Sequence, residues 1–258
     1  MPAGSCLCGA IHFTLAGPLG PPEACHCRMC RRQSGHVWAA SEVDRAGLAL
    51  FGEVHLAWYA ASPRARRDHC DNCGSFLFWE EPGSGRIEVA MGALDGPSGA
   101  RLAGHLHLAD KGDYYAVDGE TLAPAAPLGP DSLHAGACLC GAVRVEVQGP
   151  LPAPDACHCR MCRKQSGHFW ASTDVLRERL ALFGAEALTW YAASAKVRRG
   201  FCHRCGSFLF WDAPGRDRIA VAMGAFEGPT HTRLERHIFV ADKGDYYPLD
   251  DGLPQHAQ

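Results

Sequence analysis

Nowhere in the 258 residues does an apolar run approach the roughly 20 residues that carry a helix across a membrane, so no membrane partner is expected. Charge of one sign is also missing. The formal net charge is −3, with neither a basic tail nor a positive patch interleaved with aromatics, so a nucleic-acid partner is not expected. Met1 to Ser5 lack the charged-then-apolar pattern of a secretory signal, and a cytoplasmic location is the expectation. Helical periodicity is scarce, confined to short stretches around Cys27 to Ser34 and Cys159 to Ser166. The apolar content of 47% nevertheless suffices for packed cores.

What the chain has in quantity is cysteine. Fourteen thiols in a reducing compartment argue against a disulfide framework, and their CxC and CxxC spacings bring several within reach of one ion. The chain also repeats itself. Cys6-Leu7-Cys8-Gly9-Ala10 returns as Cys138-Leu139-Cys140-Gly141-Ala142, and Cys25-His26-Cys27-Arg28-Met29-Cys30-Arg31 returns unchanged from Cys157 to Arg163. The same shift of 132 positions maps Cys70 and Cys73 onto Cys202 and Cys205, and Ala109 to Tyr115 onto Ala241 to Tyr247, without a gap. A period this long suits a whole domain rather than a solenoid repeat. The Ala- and Pro-rich stretch Thr121 to Ser132 reads as the connection, so the expected domains are residues 1–128 and 129–258.

Short alternating runs make each copy mainly β with little helix. Val143 to Val147, Phe76 to Trp79, Ile87 to Met91, Phe208 to Trp211, Ile219 to Met223 and His237 to Val240 all read as strands.

Seven thiols per copy divide into four and three. Cys25, Cys27 and Cys30 lie within six residues and can wrap one ion, which leaves Cys6 and Cys8 to meet Cys70 and Cys73. The repeat gives a second triplet, Cys157, Cys159 and Cys162, and a second quartet, Cys138, Cys140, Cys202 and Cys205. A closed four-ligand site is structural, whereas three ligands leave a position open for chemistry, so the triplet cysteines are the expected catalytic residues. With three thiolates a Zn²⁺ centre carries a net −1, which weakens it as a generator of hydroxide and suits capture of a soft thiolate. Arg28, Arg31 and Arg32, matched by Arg160, Arg163 and Lys164, are candidate partners for the carboxylates of a thiol substrate.

The side chain of His26 points away from its cysteine neighbours in an extended segment, so a partner or surface role is expected for it rather than ligation. His36 with His168 and His105 with His237 are read as hydrogen-bonded structural residues. His69 and His55 align with Phe201 and Ala187 and lie outside the shared plan. Trp38 and Trp170 are read as core, and Lys111 with Asp113, like Lys243 with Asp245, fits equally a pocket lining and a surface turn before twin tyrosines.

Gly4-Ser5-Cys6-Leu7-Cys8-Gly9, Cys25-His26-Cys27-x-x-Cys30-Arg31 and Cys70-x-x-Cys73-Gly74-Ser75 together closely resemble the glutathione-dependent formaldehyde-activating enzyme family, to which centromere protein V is similar. The resemblance covers both copies nearly end to end. It implies two tandem Mss4-like (β-tent) domains, a structural zinc in each quartet and a second zinc in each triplet, up to four per chain. It also implies a carbon–sulfur lyase-type activity on a thiol/aldehyde adduct, such as glutathione plus formaldehyde giving S-hydroxymethylglutathione. The basic residues Arg28, Arg31, Arg160 and Arg163 are then expected beside the glutathione. Family members are typically single domains, so the fusion either reproduces a dimer within one polypeptide or leaves one copy purely structural, although both copies keep every cysteine. Two other functions are kept open: a non-catalytic zinc module recognising a thiol or protein partner, and a redox or zinc sensor.

Overall fold

The alternating apolar runs become short strands, twenty in all, joined by two α-helices of seven residues each; a computed structural model describes all 258 residues. The chain is mainly β, and its two halves repeat one plan. In the first half, Ala3–Ser5, His12–Leu15 and Leu48–Phe51 form a small antiparallel sheet. A seven-stranded sheet follows in the order Gly104–Leu106, Glu23–Cys25, Trp38–Asp44, Arg86–Ala90, Phe78–Glu80, Arg66–Cys70 and Leu56–Ala60. Its neighbours run antiparallel except the first pair, which is parallel. The second half repeats both sheets in the same order, with Leu133–Ala137 opening the small sheet and Arg236–Ile238 at one edge of the large one. No helix or 3₁₀ turn intervenes between Asp110 and Leu133.

The helices Arg28–Ser34 and Arg160–Ser166 begin where Cys27 and Cys159 act as N-caps, each sulfur accepting the amide of the residue three positions on. They end at Gly35 and Gly167, whose φ of 87° and 84° only glycine adopts cheaply. These glycines also sit against the indole of the other half's tryptophan: a Cβ on Gly167 would lie 2.5 Å from Trp38 Nε1.

The two halves are packed through this region. Gly92 N–H donates to Gly167 O, and Gly224 N–H to Gly35 O, at 2.8 and 2.7 Å. Asp113 accepts from Thr230 and His231, while Asp245 accepts from Ser98 and Gly99. One apolar cluster of 51 buried residues draws on both halves, with Trp38 and Trp170 stacked on Phe76 and Phe208 inside it.

Met91 and Met223 open 3₁₀ turns instead of ending their strands, Val143 lies just before its strand, and two further strand expectations need correction. The run from His237 leaves the sheet after Ile238, because Phe239 turns to φ 56° and a 3₁₀ turn follows. The run from Phe76 joins its ladder only at Phe78, although its counterpart starts at Phe208. The cause is Asp68. Its fully buried carboxylate takes the amides of Leu77 and Phe78 at 3.0 and 2.6 Å, replacing ladder bonds, and the second half has Gly200 in its place.

Candidate metal centres

Four groups of cysteine sulfurs converge, each with its members within 4.8 Å of one another: Cys6, Cys8, Cys70 and Cys73; Cys138, Cys140, Cys202 and Cys205; Cys25, Cys27 and Cys30; and Cys157, Cys159 and Cys162. The quartets close because the turn after the first small-sheet strand meets the end of strand Arg66–Cys70, or of Arg198–Cys202, in the large sheet. All fourteen thiols are free. The Cys6–Cys8 and Cys8–Cys70 sulfurs stand 3.4 and 3.8 Å apart, too far for a disulfide. A tetrahedral zinc with bonds of about 2.3 Å needs edges of about 3.8 Å, so these residues fit the ion. Amides and hydroxyls already point at the sulfurs: Ile11 N–H donates to Cys6 Sγ, and Ser75 Oγ lies 3.2 Å from Cys73 Sγ.

In the first triplet the crowded sulfurs perturb one another's titration. Hydrogen bonding from Cys25 and Cys30 holds the Cys27 thiol far below its usual range. The same crowding pushes Cys25 up to about 11 and Cys30 well above the normal thiol value, where burial adds to it. Three thiolates cannot share this space without a cation, and a divalent ion is the group that would release all three protons.

Each triplet has a built-in cation that sequence reasoning missed. Arg67 is buried on the large sheet, and its Nη1 donates to Cys30 Sγ at 3.3 Å; Arg199 does the same to Cys162. The signal was present as the paired arginines at positions 66–67 and 198–199, but they lie 37 residues beyond the sulfur they reach.

The basic residues flanking the triplets are placed differently from one another. Arg28 and Arg32 both face Glu227 of the other half, at 3.6 and 2.5 Å. Arg160 and Lys164 both face Asp95, and Lys164 is buried on Ser5 and Ala93 O as well. Arg163 donates to Asp242 O, whereas Arg31 keeps a buried Nε without a partner. The half-to-half interface thus takes most of these charges.

His26 is not at the surface. Between Cys25 and Cys27 it turns away from the sulfur cluster and is buried against Tyr115 Oη at 2.7 Å and His105 Nδ1 at 2.8 Å. His158 repeats this with Tyr247 and His237, and His237 Nε2 donates to Asp251 Oδ2 at 2.9 Å. A carboxylate only accepts, so His237 presents Nε2–H to Asp251; in a neutral His237 the Nδ1 then accepts from His158, whose own Nδ1 accepts from the Tyr247 hydroxyl. Burial, followed by the neighbouring histidine, pulls His26 and His158 down to about 3, so both are neutral near pH 7. His36 and His168 are hydrogen-bonded to Tyr114 and Tyr246, as the structural reading expected. His69 reaches across to His203 O, which gives it an inter-half contact that Phe201 cannot copy. Lys111 Nζ donates to Tyr115 O and pairs with Glu120, within the turn that was one of the two expectations there.

Cys25 opens onto a cleft of about 420 Å³, lined also by Glu23, Trp38, Glu42, Arg86 and Glu88. His26 lines a separate cavity of about 290 Å³ between the halves, with His36 and His168, on the far side of the strand.

A curated relative from Schizosaccharomyces pombe, described as an uncharacterized lyase, is 25% identical over 119 residues, covering 44% of this chain and 83% of its own. One from Halomonas elongata, described as a putative glutathione-dependent formaldehyde-activating enzyme, is 33% identical over 88 residues; the match covers 31% of this chain and 55% of the relative. A crystal structure of a Rhodobacter sphaeroides protein matches 36% of this chain and 88% of its own at 28% identity, with a TM-score of 0.32. The profile of the family described as glutathione-dependent formaldehyde-activating enzyme matches residues 1–110 and again 133–242, and with both halves so accounted for, the chain belongs to that family.

Proposed function

We propose that the protein is a zinc-dependent carbon–sulfur lyase-type enzyme that joins a thiol to a small aldehyde, with glutathione and formaldehyde the leading pair and S-hydroxymethylglutathione the product. One observation carries the reading: three cysteine sulfurs gathered within 4.8 Å, one of them opening onto a cleft. Family membership supports it, as do the lyase and formaldehyde-activating descriptions of the relatives.

A zinc ion held by Cys25, Cys27 and Cys30, or by Cys157, Cys159 and Cys162, supplies a coordination position suited to a soft fourth ligand such as a thiolate. The remaining work belongs to the chain. Arg67 and Arg199 hold one sulfur of each triplet and bring the local charge sum from −1 to zero, which eases the approach of an anionic thiol. Arg31, whose Nε has no partner, is the candidate for a glutathione carboxylate; Arg28, Arg160 and Arg163 are second choices because each already faces an oxygen acceptor. The quartets Cys6, Cys8, Cys70, Cys73 and Cys138, Cys140, Cys202, Cys205 take structural zinc, and the packed halves act as a dimer within one polypeptide.

The test is exchange spectroscopy of glutathione with formaldehyde, using protein whose zinc content has been measured. A rate of adduct formation above the uncatalysed mixture is expected, and its loss in Cys27→Ser. A rate equal to the uncatalysed mixture in fully zinc-loaded protein overturns the reading.

A further inference from the structure

The second half fills with one of its own rings a place that the first half leaves open. Phe169 lies against His168, His158 and Tyr247 of its own half, with ring centroids 4.4, 4.6 and 5.5 Å away, and against His36 of the other half at 4.8 Å. The shift of 132 positions puts Val37 at the matching place in the first half. Around Val37 the aromatic frame is unchanged. His36 and Tyr115 stand 4.6 Å apart at 69°, as His168 and Tyr247 do at 4.6 Å and 71°. His26 lies 5.7 Å from Tyr115, as His158 does from Tyr247. What is missing is the ring, which a valine does not supply. The counterparts of the four rings that Phe169 touches are His36, His26, Tyr115 and, across the interface, His168. All four line the cavity of about 290 Å³ between the halves, together with Val37.

Size and polarity define what fits there. An apolar cavity of about 150 Å³ holds benzene, so this one has room for a single ring with a substituent. Leu102 and Leu234 add apolar wall. His36 Nδ1 meets the Tyr114 hydroxyl at 2.6 Å, and His168 Nδ1 meets the Tyr246 hydroxyl at 2.7 Å. Both tyrosines are buried, and the imidazole is the hydrogen-bond partner of each hydroxyl. Each hydroxyl therefore donates to Nδ1, which assigns the imidazole proton to Nε2. Neither Nε2–H has an acceptor in the protein, although His36 and His168 are only 1% and 3% exposed and line the cavity. A ligand carbonyl oxygen satisfies such a donor. An anion does not suit the site. Burial holds both imidazoles well below their usual range, so they are uncharged, and the charged groups of the lining are the carboxylates Asp118, Asp250 and Asp251.

We propose that the cavity between the halves is a binding site for a small uncharged aromatic carbonyl compound. Its ring takes in the first half the place that Phe169 takes in the second, against the imidazoles of His36 and His168. Its oxygen accepts from the Nε2–H groups that those imidazoles leave free. Binding is non-covalent, and no triplet cysteine lines the cavity, so the site stands apart from the thiol–aldehyde reading. The halves are unequal in this respect: Phe169 already fills the second place, so one ligand per chain is the expected stoichiometry.

The experiment is calorimetric titration of the full chain, its zinc content measured beforehand, with acetophenone, ethylbenzene and benzoate. Acetophenone carries ring and carbonyl, ethylbenzene a similar outline without oxygen, and benzoate a charge. Acetophenone is expected to bind once per chain, ethylbenzene about tenfold more weakly for want of the acceptor, and benzoate more weakly still. Val37→Phe gives the first half the ring that the second half already carries. It is expected to weaken acetophenone at least about tenfold by filling its place, with the unfolding midpoint at or above that of the parent. Nuclear Overhauser contacts from the acetophenone ring to the Val37 methyls and the Phe169 ring are expected as well. They locate the ligand in the parent protein, so the inference remains testable if Val37→Phe does not fold. Absence of acetophenone binding, binding without those contacts, or unchanged affinity in folded Val37→Phe overturns the proposal. Ethylbenzene or benzoate bound as tightly as acetophenone overturns it too.

Discussion

A single guanidinium decides how the triplet balances its charge. Arg67 is buried, has lost its hydration, and reaches Cys30 Sγ from a strand that the sequence separates widely from the triplet. Replacing it with methionine keeps much of the volume but leaves a zinc–thiolate centre at −1 without its neighbour. Outer-shell partners of this kind typically affect metal affinity 10–100-fold. Arg67→Met is therefore expected to weaken zinc at Cys25, Cys27 and Cys30 by about that factor, read by competition with a chromophoric chelator. The quartets should hold their zinc as before. An unchanged set of affinities would mean that the guanidinium serves packing only. The stability arithmetic at Glu88 has its own sign. Its carboxyl titrates higher in the folded chain than in the unfolded one, so the stability it contributes is full below the unfolded value and declines as pH rises through about 7. Denaturant titrations from pH 5 to 8 should show that decline in the parent and less of it in Glu88→Gln.

At the scale of elements, the helices depend on glycine at both ends of the inter-half contact. Gly167 combines a left-handed φ with an indole at its back, and Gly35 is its mirror. Gly167→Ala has two costs, backbone strain and overpacking against Trp38, together about 2–4 kcal/mol. A drop in the unfolding midpoint at unchanged m-value is the expected result. These helices were legible in the sequence, since a CxxC step followed by a glycine five residues on marks both their start and their end. The quartets and triplets were legible for the same reason: local spacing of thiols is a local signal, and the repeat supplied it twice. What the sequence hid was non-local. Asp68 replaces ladder bonds only because the fold brings Leu77 and Phe78 to its carboxylate, and nothing near Asp68 announces this. His26 looked like a surface residue because its burial comes from Tyr115 and His105, some 80–90 residues away. The basic residues around the triplets looked free because their partners, Glu227 and Asp95, belong to the other half.

For the whole molecule, the contacts just named make the halves mutually dependent. Lys164 has almost no exposed surface and holds two carbonyls, a hydroxyl and a carboxylate of the first half, an arrangement the second half can satisfy only while the first is folded. Arg32 does the converse through Glu227. The apolar cluster runs through both. Structural zinc contributes on the order of 10 kcal/mol to small zinc-binding units, comparable to the whole stability of a typical domain at about 5–15 kcal/mol. Loss of one quartet should therefore unfold its own half, and the shared interface should transmit that loss to the other. Cys138→Ser, which touches only the second quartet, is expected to weaken the first half as well. Calorimetry of the parent should give one transition, and the variant should show a lowered single transition or none. Hydrogen exchange should become faster at first-half amides such as Leu77 and Phe78. Two separate transitions, with the first half's protection intact, would show instead that each zinc-bound half folds alone and that the interface merely joins them.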